Sequence, residues 1–468
     1  MTPLLSEQQV ARRRAVEALR SGVPSWDAVA MLGSGQPDAE DRFLSLLDTA
    51  AARAGGGVVT EWGSPAGGHR GPGADRRGHG GESRGLLLGG GFGGGKSHLL
   101  THFGHLASSA GFVVSTVVIS KETPLHDPAK TFRAAIDAAV DPSRAHGALA
   151  SAAGLLDPDT PRYAELNRWV NSPASGLDER FAATLLCHER LRGGEVPGSD
   201  ETVDALIRFW SGEPLRISDL RGALRSVGAA GLYTFSPVSA RDLARQRFRF
   251  AAALLRAAGH EGWVILFDEV ELIGRYSVLQ RGRSYAELGR WLGNHDADRS
   301  LPLASVFAMT DDFEAAVLTG KKDRDEIPGK LRAKQTPEWD ETATLAEAGM
   351  RRIESDMMLL EPPDDAELDR TYAALKKLHG DAFGWSPPDV PGLERLGATR
   401  MRQYVRAWIN EWDLVRLDPG FRPQTMAVHI ASDYREDSDL EDKGDAWSGD
   451  PSPSDAVPGP ARFWRRSP

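Results

Sequence analysis

The chain is 468 residues long, 41% hydrophobic and 26% charged, with a formal net charge of −10 and one cysteine. Such a length holds two or three packed units of about 150 residues each, and the acidic balance argues against a surface that is one continuous nucleic-acid footprint. A lone Cys187 excludes an intramolecular disulfide and a Cys-x-x-Cys metal site, and it fits a reducing compartment.

No run of about 18 apolar residues suggests a membrane span. Met1-Thr2-Pro3-Leu4-Leu5-Ser6-Glu7 has no basic region leading into an apolar core, so the expected location is cytoplasmic. Residues 10–19 predict a basic helix, with Val10, Ala15, Val16, Ala18 and Leu19 set among Arg12, Arg13, Arg14 and Arg20, stopped by Gly22 and Pro24. Residues 39–52 predict a second helix with Phe43, Leu44, Leu46 and Leu47 near one face. These helices form an expected N-terminal unit, 1–52. Residues 53–85 are Gly-, Pro- and Arg-rich with almost no apolar content, as in a flexible linker.

The core opens with the apolar run Leu86-Leu87-Leu88. Gly90-Gly91-Phe92-Gly93-Gly94-Gly95-Lys96-Ser97 follows and fits G-x-x-x-x-G-K-[ST], with helix-like sequence after it. Strand, loop and helix N-terminus in that order form a phosphate cradle. The glycines let backbone N–H groups curl around the β-phosphate of ATP. Lys96 reaches the β- and γ-phosphates, and Ser97 gives its hydroxyl to Mg²⁺. His98 is counted with the loop as nucleotide-binding. The rival reading, a flexible Gly-rich linker, lacks support because the upstream glycine run has no Lys-Ser end and no helix after it.

Residues 112–119 are rich in β-branched side chains and predict a strand, followed by a helix from Pro128 with Phe132, Ile136 and Ala139. About 141–241 exceeds what a minimal core needs and reads as a helical insertion, with helices at 179–192 and 200–210. A helix over 242–258 leads into Trp263-Val264-Ile265-Leu266-Phe267-Asp268-Glu269, a buried parallel strand ending in two acids. Asp268 is expected in the Mg²⁺ shell and Glu269 beside the water that attacks the γ-phosphate. Residues 303–309 predict another buried strand. At its end Thr310 is a candidate γ-phosphate sensor, or an N-cap for a helix at 312–318. Residues 357–360 close the core, 86–361. Helices at 366–379 and 397–417 then form a helical lid, 362–418. Met401, Tyr404, Val405, Trp408, Ile409 and Trp412 recur there at core spacing. A short segment, 419–431, precedes a Asp-, Pro- and Ser-rich tail, 432–468, expected to be disordered.

Phosphate loop, Asp-Glu strand, polar-tipped strand and helical lid together resemble an AAA+-type ATPase. The resemblance implies an α/β fold: a P-loop parallel-sheet core with a helical insertion and a C-terminal helical lid. It also implies a lid arginine at the γ-phosphate, for which Arg400 and Arg402 are the candidates, with a cationic helix start as the alternative. Longer strings are similar to the ATP-binding protein family of bacterial BREX anti-phage systems, particularly its BrxD-like members. They include Arg13-Arg14-Ala15-Val16-Glu17-Ala18-Leu19-Arg20, Ile119-Ser120-Lys121-Glu122-Thr123-Pro124 and Phe267-Asp268-Glu269-Val270-Glu271-Leu272-Ile273-Gly274-Arg275-Tyr276. This second resemblance implies partners among other phage-defence proteins.

Two functions compete: an ATPase that passes lid motion to a partner or to DNA, and a nucleotide-gated scaffold with little turnover. DNA contact would draw on Arg12–Arg20 or on Lys321, Lys322, Arg324, Lys330, Arg332 and Lys334, which equally fit solvated faces. An ATP-dependent homo-oligomer would need an arginine reaching across subunits. Arg275, Arg281, Arg283, Arg324, Arg332, Arg351 and Arg352 are the options.

Overall fold

The computed structural model describes residues 6–22, 25–53, 85–143, 145–192, 199–293, 301–390, 401–418 and 420–421. The Gly-rich stretch, Arg400 and the acidic tail, about which the sequence made expectations, lie outside them.

Five parallel strands form one sheet: β1 (Gly85–Gly89), β2 (Val113–Val118), β3 (Trp263–Asp268), β4 (Leu303–Met309) and β5 (Met358–Leu359). Their order is β2-β3-β4-β1-β5. Leu87 pairs with Phe307 on one side of β4 and Phe267 pairs with Phe307 on the other. The carboxyl ends of β1 and β3 therefore stand on either side of the end of β4, and Thr310 falls between the phosphate loop and Asp268.

Both faces of the sheet are covered, which is why its strands read as continuous apolar runs. Leu86, Leu88, Val264, Leu266, Val306 and Ala308 pack under α3 (Pro37–Arg53) and α4 (Lys96–Ser109). The alternate positions Trp263, Ile265, Phe267 and Phe307 face a larger cluster. That cluster is shared with α5 (Pro128–Asp137), α11 (Ala240–Ala257), α12 (Val278–Leu292) and α14 (Pro337–Ser355). Phe267 and Phe307 stack with ring centres 4.4 Å apart.

Between α5 and α11 lie α6 (Ala148–Leu155), α7 (Pro161–Val170), α8 (Glu179–Leu191), α9 (Ser199–Trp210) and α10 (Ile217–Ser226). These helices occupy the region read as an insertion. The helix expected at 312–318 is instead a π-helical turn, Glu314–Thr319, followed by α13 (Asp323–Arg332). Gly349 lets α14 press on α12, since a Cβ there would sit 2.0 Å from the Tyr285 carbonyl oxygen.

The two ends of the described chain meet. α1 (Glu7–Ser21) and α2 (Trp26–Leu32) share an apolar cluster with α15 (Asp365–Phe383) and α16 (Met401–Leu417). Ala15, Val16 and Leu19 meet Leu375, Val405, Trp408 and Trp412 in it. The arginines of the basic helix serve this packing: Arg13 donates to the Ala382 carbonyl at 2.9 Å, and Arg20 pairs with Asp413 at 3.4 Å. The remaining N-terminal helix, α3, belongs to the sheet. No helix among the described residues is long and apolar enough to cross a membrane.

Candidate active site

The loop from Gly90 to Gly95 leads directly into α4, whose cap, Gly95, has φ 95°. Only glycine adopts that angle without strain, and the first turn of α4 has no side-chain cap and no acid. Its backbone N–H groups therefore remain available to an anion. Lys96, 7% exposed, folds back so that Nζ donates to the carbonyls of Gly90 at 2.8 Å and Gly91 at 3.4 Å.

At the end of β3, Asp268 Oδ1 accepts from the backbone N–H of Glu269 at 2.9 Å. Glu269 has φ 57°, ψ 33°, a left-handed conformation costing a non-glycine residue about 1–2 kcal/mol. It turns the chain into a 3-10 segment, Val270–Arg275. Burial raises the pKa of Glu269, the adjacent Asp268 raises it further, and Lys96 and Arg402 oppose the shift.

The loop from Phe92 to Ser97 and Glu269 open into one cavity of about 350 Å³, while Asp268 is not on its wall. Gly93, Gly94, Gly95, Lys96, Ser97, His98 and Glu269 line its polar end. Leu19, Leu32, Leu360, Ala374, Met401 and Val405 supply the apolar part of the rest of the wall, which also carries Gln36, Glu367, Arg370 and Thr371. Arg402 is on the wall as well. Its Nη2 donates to the Gly22 carbonyl at 2.6 Å, and its guanidinium lies 5.7 Å from the centre of the Phe92 ring.

The other expected positions divide. Thr310, 1% exposed, sits at the end of β4 but is not on the cavity wall. His98 lines the wall, but its Nε2 lies 2.6 Å from the Gly33 carbonyl oxygen. One turn and two turns on, His102 Nε2 lies 3.3 Å from Glu40 Oε1 and His105 Nε2 2.9 Å from the Trp26 carbonyl oxygen. This stripe of histidines fastens α4 to the N-terminal helices. Burial lowers the His98 pKa below its ordinary value, against the hydrogen bond to Gly33.

Glu271 is a site residue the sequence reading passed over. It lines the same cavity, is 7% exposed, and its Oε2 has no hydrogen-bond partner. Burial pushes its carboxyl up to about 7, against the pull of Lys96. The signal was the third acid of Asp268-Glu269-Val270-Glu271, which reads as an ordinary acidic turn.

Among the described residues no group of three or more His, Cys, Asp or Glu side chains forms a metal cage. Ser97 and Asp268 supply one hydroxyl and one carboxylate, which suits Mg²⁺ carried in on phosphates. The uncapped α4 N-terminus and Lys96 fit the phosphates of a nucleotide at this end.

Sheet, loop and cavity define a P-loop ATPase-like α/β protein. The family model described as BREX system ATP-binding protein BrxC/D matches residues 78–153 and 196–320, taking in the phosphate loop, β3 and β4. Over these two segments, somewhat less than half of the chain, it is similar to BREX system ATP-binding proteins. No curated protein and no solved structure matches it.

Proposed function

We propose that the chain is an AAA+-like ATPase that hydrolyses ATP to ADP and phosphate within a BREX-type phage-defence system in the cytoplasm. The observation that carries this reading is that Lys96 and Glu269, from separate strand ends, line one cavity with the uncapped N-terminus of α4. In the reaction, water oxygen bonds to the γ-phosphorus as the bond to the ADP oxygen breaks. Glu269 takes the water's proton, while Lys96 and the α4 N–H groups hold the phosphates. Mg²⁺, held by Ser97 and Asp268, would supply charge neutralisation. The apolar wall of Leu19, Leu32, Met401 and Val405 suits the base. Thr310 and the lid arginines remain proposed γ-phosphate sensors.

We divide the chain into the N-terminal helices 1–52, a linker 53–85, the core 86–361 with its insertion at about 141–241, the lid 362–418, a segment 419–431 and a tail 432–468. Lid movement would be the output, delivered to another defence protein or to DNA. Ion pairs weaken the case for direct DNA contact. Arg324 pairs with Glu354, Lys330 with Glu326 and Arg332 with Glu347.

Self-association remains part of the proposal. Arg281 is not the residue that would act across subunits, because its guanidinium is buried against Asp323. Arg351 is exposed. Turnover measured with and without duplex DNA, alongside molar mass with and without ATP, tests the reading. A wild-type chain that binds ATP and shows no single-turnover hydrolysis would establish the nucleotide-gated scaffold instead.

A further inference from the structure

Away from the phosphate loop, one face of α15 bounds the cavity. Glu367, Arg370, Thr371 and Ala374 recur there at helical spacing, and all four line the wall. The turn Gly33-Ser34-Gly35-Gln36 lines it too, and its polar side chains are already engaged. Gln36 Nε2 donates to the Glu361 carbonyl at 2.9 Å, and its Oε1 accepts from the Glu361 N–H at 3.0 Å. Ser34 donates to Glu40 and accepts from the Gln36 N–H. Glu367 differs. Its carboxyl reaches over to Gly35, filling the space that a side chain there would need. The residue is half-buried, and burial raises its pKa against the pull of Arg370, yet no hydrogen bond among the described residues holds the carboxyl. Glu361, the other acid at this end, is exposed.

An ionised carboxylate accepts hydrogen bonds and donates none. It repels phosphates, so its partner belongs to the nucleoside half of a nucleotide. Guanine offers a carboxylate two adjacent donors where adenine offers one amine. An acid reading the base would therefore favour guanine, against the ATP-binding character of the proteins this chain is similar to. The ribose offers its two neighbouring hydroxyls to one acid whatever the base.

We propose that Glu367 determines specificity for the sugar: its carboxylate accepts from the 2′- and 3′-hydroxyls of the bound nucleotide and ranks ribonucleotides above deoxynucleotides. Leu19, Leu32, Met401 and Val405 are then left to the base. This inference rests on the nucleotide-binding part of the reading above and not on hydrolysis.

The test is equilibrium titration of the full chain with ADP, 2′-deoxy-ADP, 3′-deoxy-ADP and the purine riboside diphosphate that lacks the 6-amine. Inorganic pyrophosphate serves as the probe without a nucleoside. Wild type is expected to bind ADP about tenfold more tightly than either deoxy analogue, each of which lacks one hydrogen bond to a charged acceptor. Glu367→Ala should bring that ratio to about one and leave pyrophosphate affinity within about twofold. Glu367→Gln keeps one acceptor oxygen without the charge and should retain a ratio of about threefold. A packing role would weaken all the nucleotides alike and leave the ratio untouched.

A wild type that binds ADP and both deoxy analogues equally overturns the proposal, as does a folded Ala variant with the wild-type ratio. Should the Ala variant not fold, an unchanged ratio in the Gln variant does so. If the substitutions instead erase a preference for ADP over the purine riboside analogue and spare the ratio, the carboxylate reads the base and the sugar assignment falls. A wild-type chain that binds neither ADP nor pyrophosphate overturns the nucleotide reading itself, before any substitution is made.

Discussion

Arg402 joins three parts of the molecule at once. It lies on lid helix α16, its Nη2 donates to the carbonyl of Gly22 380 positions earlier, and its guanidinium lies over Phe92 of the phosphate loop. Loop, lid and N-terminal helix thus share one cation, whose field also reaches Glu269.

Replacing Arg402 with Ala should lower ATP turnover at least tenfold and cost about 1–2 kcal/mol of stability through the lost charge-assisted hydrogen bond. Arg402→Lys should not restore turnover, because an ammonium cannot stack on Phe92 while donating in a fixed plane to Gly22. Steady-state rates and denaturant melts check both parts. Full activity in the Lys variant would remove Arg402 from the mechanism.

Lys96→Ala should abolish ATP binding, whereas Glu269→Gln should bind ATP and stop hydrolysing it. Charge neutralisation and water activation fall on different residues, and only the first is needed in the ground state. Titration with a fluorescent ATP analogue, beside single-turnover assays, separates the two. Near wild-type hydrolysis by the Glu269 variant would refute its assignment.

Glu271 should make the nucleotide-free protein sensitive to pH. Burial raises its folded pKa to about 7 from an ordinary 4.5. A raised carboxyl favours the folded state fully below pH 4.5, and that advantage is lost as pH rises through 7. Glu271→Gln should therefore leave stability unchanged near pH 4. At pH 8 it should stabilise the protein by up to about 3 kcal/mol, judged by melts without nucleotide or metal. Equal melting temperatures for the two proteins at pH 8 would contradict the buried placement of this carboxyl.

Asp323 anchors the far side of the core. Arg281 donates to it twice, at 2.8 and 2.9 Å, and the Tyr285 hydroxyl at 2.8 Å. Asp323→Ala leaves a buried guanidinium uncompensated and should cost about 3–5 kcal/mol. Removing both charges, by Arg281→Met with Asp323→Leu, should recover much of that loss. Urea denaturation of the single and double variants is the test.

The strands were legible because a sheet covered on both faces demands uninterrupted apolar runs, and the expected 303–309 coincides with β4. Lys96 and Glu269 stand on the cavity wall where loop and strand-end chemistry led the sequence to expect them, whereas Arg402 was reached only through the family resemblance, beside Arg400 and a plain cationic helix start. Other features were hidden by distance or by competing signals. The seven residues of α2 are too few to show periodicity, and its stability comes from packing on α1 and α4. Nothing local in Leu19 or Gly22 announces that they face Val405 and Arg402, since the contacts span most of the chain. Arg281 looked like any surface arginine until Asp323 was seen to hold it.

The cavity walls run from Leu19 to Val405, drawing on the first and the last of the described helices. A ribosome will have made the phosphate loop, both acid strand-end residues and the entire sheet before the lid helix exists. Until α16 is released, Leu19 and Gly22 have nothing to close against, and an emerging chain offers ATP only an open shelf. Closure of the cavity thereby waits for α16, and a product lacking that helix would have its whole sheet yet only part of the cavity wall.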